Sequence, residues 1–262
     1  MPINFKTRPG LVAYLTCGDP DLQTTEEIAL AAIEAGADVI ELGVPFSDPV
    51  ADGPVIQRAS ERALRHHTTL ENVLEMAASV RKKKPSAGLI VFTYLNPIYR
   101  YGIERFAKAA KNAGVDGALV TDLTVEEAGD YLRAMRAQDL ATVFLAAPTS
   151  TDERLKRIGA ASTGFVYAVS RTGVTGAQKN LTVDARELVR RIKRFTSLPV
   201  AVGFGISTPE QVQEVGEFAD AAVVGSAIVH LVETTSAAGA ALAVGDFVRK
   251  LKRRAKRSAT PA

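Results

Sequence analysis

Short aliphatic runs alternate with longer amphipathic stretches along the whole chain. The runs Leu11–Thr16, Val39–Leu42, Leu89–Thr93, Gly117–Val120, Ala141–Ala146, Phe165–Ala168, Val200–Phe204 and Ala221–Gly225 are bounded by Gly, Pro or Asp. Continuous apolar runs of this length, rich in β-branched residues, suit strands covered on both faces. Between them, helical spacing predicts helices over Thr24–Ala35, Val55–His66, Leu70–Lys83, Ile103–Ala113, Val125–Gln138, Val183–Thr196 and Pro209–Phe218. Two of these end alike. Ala35-Gly36-Ala37-Asp38 and Ala113-Gly114-Val115-Asp116 put glycine where a helix end needs left-handed backbone, and Phe218-Ala219-Asp220 is a weaker third copy.

Eight strands alternating with helices in 262 residues predict a single-domain α/β fold, the (β/α)8 TIM barrel. A doubly wound open sheet also alternates, but it needs fewer strands and a glycine-rich first turn. The first turn here, Cys17-Gly18-Asp19-Pro20, has one glycine. No low-complexity linker divides the chain.

A 47% hydrophobic content is too high for a disordered chain. No apolar run reaches the roughly eighteen residues of a membrane span. The start, Met1-Pro2-Ile3-Asn4-Phe5-Lys6, does not read as a secretory leader. Cys17 is the one cysteine, which excludes an internal disulfide and suits a cytoplasmic location. The net charge of +3 invites a nucleic-acid reading, but its distribution argues against one. Seven of the 32 Lys and Arg lie in 249–262, which leaves 25 against 29 acids in 1–248, a net of −4. The division expected is therefore a barrel over 1–248 and a basic, solvated helix end and tail over 249–262, with neither nucleic acid nor membrane as partner.

Active sites of such barrels form at the C-terminal ends of the strands. There the most unusual residue is Glu41, an acid inside the apolar run Asp38-Val39-Ile40-Glu41-Leu42-Gly43. Burial would lift its pKa into the acid/base range, while a salt bridge at the barrel rim is an equal alternative. The following loop carries Asp48 and Asp52, which serve either as turn residues beside Gly and Pro or as a second acid over the barrel mouth. Glycines at Gly173–Gly176, Gly203–Gly205 and Gly225-Ser226 fall where these barrels bind phosphate. Cys17 has no histidine near it in sequence, and His66, His67 and His230 lack metal-ligand spacing, so no metal is expected. Carboxylate acid/base work on a phosphorylated substrate is what remains.

These residues carry a family resemblance. Glu41-Leu42-Gly43-Val44-Pro45-Phe46-Ser47-Asp48-Pro49-Val50-Ala51-Asp52-Gly53-Pro54 resembles the signature of the tryptophan synthase alpha subunit. So do Tyr94-Leu95-Asn96-Pro97-Ile98, Ser170-Arg171-Thr172-Gly173-Val174-Thr175-Gly176 and Gly203-Phe204-Gly205-Ile206. The resemblance implies a (β/α)8 lyase of tryptophan biosynthesis that cleaves indole-3-glycerol phosphate to indole and glyceraldehyde 3-phosphate. It implies that Glu41 is the acid/base acting at indole C3 and that Asp52 meets the indole N–H. Tyr14, Tyr94, Thr121 and Phe204 would line the indole pocket, with Tyr167 near Glu41. Gly176, Gly205, Gly225 and Ser226 would cradle the phosphate, and Thr175, in the mobile loop Arg171–Leu181, would order Asp52. Asp48, Asn96 and Pro97 would contact a beta subunit in an alpha2beta2 assembly. Pyridoxal phosphate is expected in that partner, with no cofactor in this chain. A free-standing lyase, another phosphate-binding barrel enzyme and a non-catalytic regulatory subunit are the alternatives. Thr124 stands where members often have Pro, and the short N-terminus leaves no room for the helix that caps some barrels from below.

Overall fold

All eight strands pair in parallel and close in chain order in the computed structural model, which describes residues 3, 5–169, 178–203 and 205–253, with backbone alone for 178–182. The strands are β1 Gly10–Thr16, β2 Val39–Gly43, β3 Gly88–Thr93, β4 Gly117–Val120, β5 Ala141–Ala146, β6 Val166–Val169, β7 Val200–Gly203 and β8 Ala221–Val224. Each lies within one residue of its predicted limits. The register runs from Val12 through Val39 to Gly88, and the barrel closes through Gly10 and Ala221.

The alternation hidden inside each apolar run now separates two cores. Leu11, Ala13, Ile40, Leu89 and Val91 point outward and pack against helices. Val12, Val39, Ile90, Leu119, Phe165 and Val223 point inward and fill the lower barrel. Helices cover one side and barrel filling the other, so neither face of a strand needs polar residues.

The described helices are α1 Leu22–Glu34, α2 Pro54–Arg65, α3 Leu70–Lys83, α4 Leu95–Tyr101, α5 Ile103–Asn112, α6 Gly129–Ala137, α7 Asp152–Ala161, α8 Gln178–Ile192, α9 Pro209–Gly216, α10 Ser226–Thr234 and α11 Ala237–Lys252. Helix α6 begins four residues later than predicted because the chain after Thr124 first makes a turn, with the Glu127 N–H donating to Thr124 O at 3.2 Å. Helix α8 begins five residues earlier than predicted. The α4 segment contains Pro97, which sits in the first turn where no N–H partner is needed. In α11 an Ala/Gly-rich stretch weakens the amphipathic signal. Tertiary packing compensates: a Cβ on Gly245 would already touch Ala31 of α1 at 3.5 Å.

The repeated Asp before a strand has a common task at the barrel's lower rim. Asp38 accepts from the Leu11 N–H at 2.8 Å, Asp116 from Leu89 at 2.8 Å and Asp220 from Val200 at 2.9 Å. Each carboxylate thus takes a donor from the first two residues of a neighbouring strand, and each pairs with a base. The partners are Lys252 for Asp38, Arg81 for Asp116 and Lys193 for Asp220. The glycines before Asp38 and Asp116 have φ of +108° and +72°, as the motif requires. Lys252 ties α11 to the barrel base, so this part of the basic segment is paired rather than merely solvated.

A helix is not needed to plug the barrel from below. Ile3 donates its N–H to Gly164 O at 3.3 Å, and the Phe5 ring meets Phe165 edge-on at 6.0 Å. Both join the inward-facing core. Among the described residues no helix is long and apolar enough to cross a membrane.

Candidate active site

Glu41 occupies the middle of β2, level with Tyr14 on β1 and Ile90 on β3. Its period-two position turns the side chain into the barrel, where it is fully buried. Neither carboxylate oxygen has a hydrogen-bond partner among the described residues. Burial with no compensating donor pushes its pKa from 4.5 up to about 8. This is a buried, mostly protonated carboxylic acid at neutral pH, and among the described residues it forms no rim salt bridge.

Tyr14 and Tyr167 share this interior, and Tyr14 meets Phe92 edge-on at 5.0 Å. Both phenols are held protonated, chiefly by burial and further by the charges of Asp52 and Glu41. Their hydroxyls fit only because two strand positions lack side chains. A Cβ on Gly43 would lie 2.3 Å from the Tyr14 oxygen, and one on Gly203 would lie 2.4 Å from the Tyr167 oxygen. Gly203 was expected to serve the anion site. In the structure it makes room for Tyr167. Gly43 was not singled out, although its place two residues beyond Glu41 on the same strand face could have signalled it.

Asp52 comes from the loop between β2 and α2, which folds back over the mouth. The Tyr94 hydroxyl donates to Asp52 Oδ2 at 2.9 Å and accepts from the Ala51 N–H at 2.9 Å. Phe46 stacks at a tilt on Tyr94 with ring centroids 5.0 Å apart, and Gln57 Nε2 donates to the Asp52 carbonyl at 2.8 Å. Desolvation raises the Asp52 pKa from 3.8 to about 6, while the Tyr94 hydrogen bond to the ionised form opposes it. Tyr94, read as a pocket wall, therefore also holds an acid. Thr121, at the end of β4, donates to Thr93 O at 3.3 Å beside Tyr94.

The anion side lies across the mouth. Gly205 has φ +69° and open space where a Cβ would stand. Gly225 follows β8 and is the N-cap of α10, whose first residue is Ser226. First-turn N–H groups of a helix have no intrahelical acceptor and point at whatever lies above them. Gly205 and Ser226 open onto a cavity of about 410 Å³. Thr175, Gly176 and Phe204 lie outside the described residues, as does most of Arg171–Leu181.

Several structural supports were not legible in the sequence. Arg62 on α2 grips Asp19 at 2.8 Å through two nitrogens and reaches Glu233 on α10 at 2.9 Å. Arg58 binds the same Glu233 at 2.8 and 2.9 Å. Asp122 accepts from the Leu95 N–H at 2.7 Å and so caps α4. Asp48 and Asn96 are exposed on the mouth, with Pro97 half-buried beside them. Cys17 is fully buried, which pushes its thiol pKa up and leaves it a packing residue.

The geometry has counterparts in known proteins. The model of the family described as tryptophan synthase alpha chain matches residues 3–256. The tryptophan synthase alpha chain of Solibacter usitatus (strain Ellin6076) is 51% identical over 249 residues, covering 95% of this chain and 93% of that one. A mutant tryptophan synthase alpha-subunit from Pyrococcus furiosus superposes with a TM-score of 0.85 at 42% identity, covering 93% of this chain and 98% of that one. A Mycobacterium tuberculosis tryptophan synthase chain gives 0.84 at 37% identity, covering 94% and 93%.

Proposed function

The chain belongs to the tryptophan synthase alpha chain family, and from that premise we propose that Glu41 and Asp52 divide the chemistry of its reaction between them. As a member it is a lyase that cleaves indole-3-glycerol phosphate to indole and glyceraldehyde 3-phosphate. The observation that carries the division of labour is the pair of unlike environments. Glu41 is fully buried, unpartnered among the described residues and shifted to about 8, whereas Asp52 is held by Tyr94 and shifted to about 6. Near pH 7 the first is mostly protonated and the second mostly ionised, as an acid and an electrostatic partner must be.

In this reading the reaction is a retro-aldol cleavage without metal. Glu41 delivers its proton to indole C3, and the positive charge that develops at the ring nitrogen is met by the Asp52 carboxylate. The carboxylate left on Glu41 then takes the proton of the adjacent glycerol hydroxyl. The electron pair of the broken O–H bond forms the carbonyl, the C–C bond breaks, and its electron pair restores the indole ring. Gly205, Gly225 and Ser226 hold the phosphate by backbone donors. The chain carries no cofactor of its own, pyridoxal phosphate belongs to the beta subunit, and the assembly is a cytoplasmic alpha2beta2 complex.

Two large apolar side chains support docking of beta at this mouth. Val50 is 85% exposed and Tyr99 is 70% exposed, flanking Asp48 and Asn96. Val50 lies two residues from Asp52, so docking there would act directly on the catalytic loop. A misplacement of ~1 Å costs about 10²-fold, so ordering this loop would change the rate by a similar factor.

Indole release from indole-3-glycerol phosphate tests the roles. Glu41→Gln is expected to abolish cleavage while retaining binding, and Asp52→Asn to be severe; cleavage within a few-fold of wild type would remove the role concerned. Gly225→Asp should raise KM by placing negative charge in the cradle. Adding the beta subunit should change the rate for wild type and less so for Asp48→Ala. Absence of both co-elution and rate change would favour the free-standing lyase.

A further inference from the structure

The cavity above the α10 N-terminus extends past the cradle. Its wall continues along one stripe of α10, through Ser226, Ala227, His230, Leu231 and Thr234, to Phe247 of α11. Ser226 and His230 are four residues apart, so they lie on the same helix face about one 5.4 Å turn from each other. Among the described residues lining this cavity, His230 is the one ionisable side chain. Among the described residues, a phosphate dianion seated on Gly205, Gly225 and Ser226 would meet helix-end partial charge, equivalent to about half an elementary charge, and His230 is the cavity-lining side chain that can add to it.

We propose that His230 is the side-chain cation of this phosphate site and that its protonation tightens binding of the phosphate ester. The inference rests on the phosphate reading of the cradle and adds to it a side chain on the cavity wall. His230 is partnered but not neutralised. Its Nδ1 lies 3.5 Å from Glu233 Oε2, and its side chain is 61% exposed. Glu233 is already claimed by Arg58 and Arg62 of α2, which together with the His230 contact hold its carboxyl down at about 2, and Arg62 is in turn balanced by buried Asp19. From β1 the helix meets Tyr14, a protonated phenol, and from α11 the cavity receives Phe247, which carries no charge. Arg58 and Arg62 offset Glu233 and Asp19, and exposed Glu61 of α2 also acts on Arg58; a proton on His230 adds one positive charge on the cavity side. Histidine is the side chain that changes charge between pH 5 and 8.

Inhibition of cleavage by sn-glycerol 3-phosphate, followed from pH 5.5 to 8.5, tests this without involving the indole end. His230→Gln should raise the inhibition constant about fivefold relative to wild type at pH 5.5, or ~1 kcal/mol, and less than twofold at pH 8.5. His230→Lys, charged throughout, should match wild type at low pH and bind more tightly than wild type at pH 8.5. A His230→Gln ratio that is flat with pH, or a lysine variant no tighter at pH 8.5, overturns the inference while leaving the cradle intact. Wild type that is not inhibited at any pH overturns the phosphate site itself, and the role of His230 with it.

Discussion

The hydroxyl of Tyr94 donates to Asp52 Oδ2 at 2.9 Å while the N–H of Ala51, in the same loop as Asp52, donates back to that hydroxyl at 2.9 Å. One phenol from the end of β3 thereby fixes both the charge and the backbone of the loop that carries the second acid. With Asp52 at about 6 and Glu41 at about 8, kcat/KM should follow a bell between those two limbs. Tyr94→Phe removes a hydrogen bond that favours ionised Asp52, so the Asp52 pKa rises and the acid limb moves toward neutrality. The expected loss is about tenfold at pH 6 and shrinks as pH rises. An acid limb unchanged in the variant would disconnect Tyr94 from Asp52.

Glu41 makes stability depend on pH in a definite direction. Its folded pKa of about 8 lies above the ordinary 4.5, so the native state holds a proton that the unfolded chain has released. Stability from this group is greatest below pH 4.5, declines as pH rises toward 8, and levels off above it. Glu41→Gln removes the proton linkage. Its Tm relative to wild type should therefore rise between pH 5 and pH 8.5, whatever the offset at pH 5. Parallel melting curves across that range would place the Glu41 carboxyl in water rather than in the dry barrel.

Gly203 is a packing residue of the site. Alanine there drives a methyl to 2.4 Å from the Tyr167 oxygen and 2.9 Å from its Cζ. Overpacking of this kind costs about 1–3 kcal/mol, and activity should fall further because Tyr167 adjoins Glu41. Adding Tyr167→Phe removes the closer of the two clashes, so the double variant should regain part of the lost stability in calorimetry. No recovery would mean that the ring, or the strand itself, has moved.

Arg62 carries a different load. Its guanidinium is the partner of Asp19, whose side chain is 4% exposed. Arg62→Ala leaves that carboxylate buried and unpaired, a change worth about 2–3 kcal/mol for a partly screened pair, or a Tm lower by about 5–10 °C. Replacing Asp19 by Asn in the Arg62→Ala background should recover part of the loss, because a neutral amide is cheaper to bury. A Tm within 1 °C of wild type for Arg62→Ala would show that water reaches Asp19, by the same conversion.

The amino-acid sequence by itself determined the barrel, because strands covered on both faces must be short apolar runs and the helices between them must be amphipathic. It also marked Glu41, since an acid inside such a run is conspicuous, and the lower-rim aspartates, since their motif recurs. Local patterns of that kind record burial and backbone conformation. Which groups meet across the barrel was decided only by tertiary structure. Tyr94 and Asp52 are 42 residues apart, and Arg62 and Glu233 are 171 apart. No periodicity links positions so distant. That Gly203 makes room for the Tyr167 hydroxyl likewise became visible only with closure of the barrel. The same closure decided the two carboxyl pKa values: desolvation is a property of the surroundings, and the surroundings of Glu41 come from strands on every side of it.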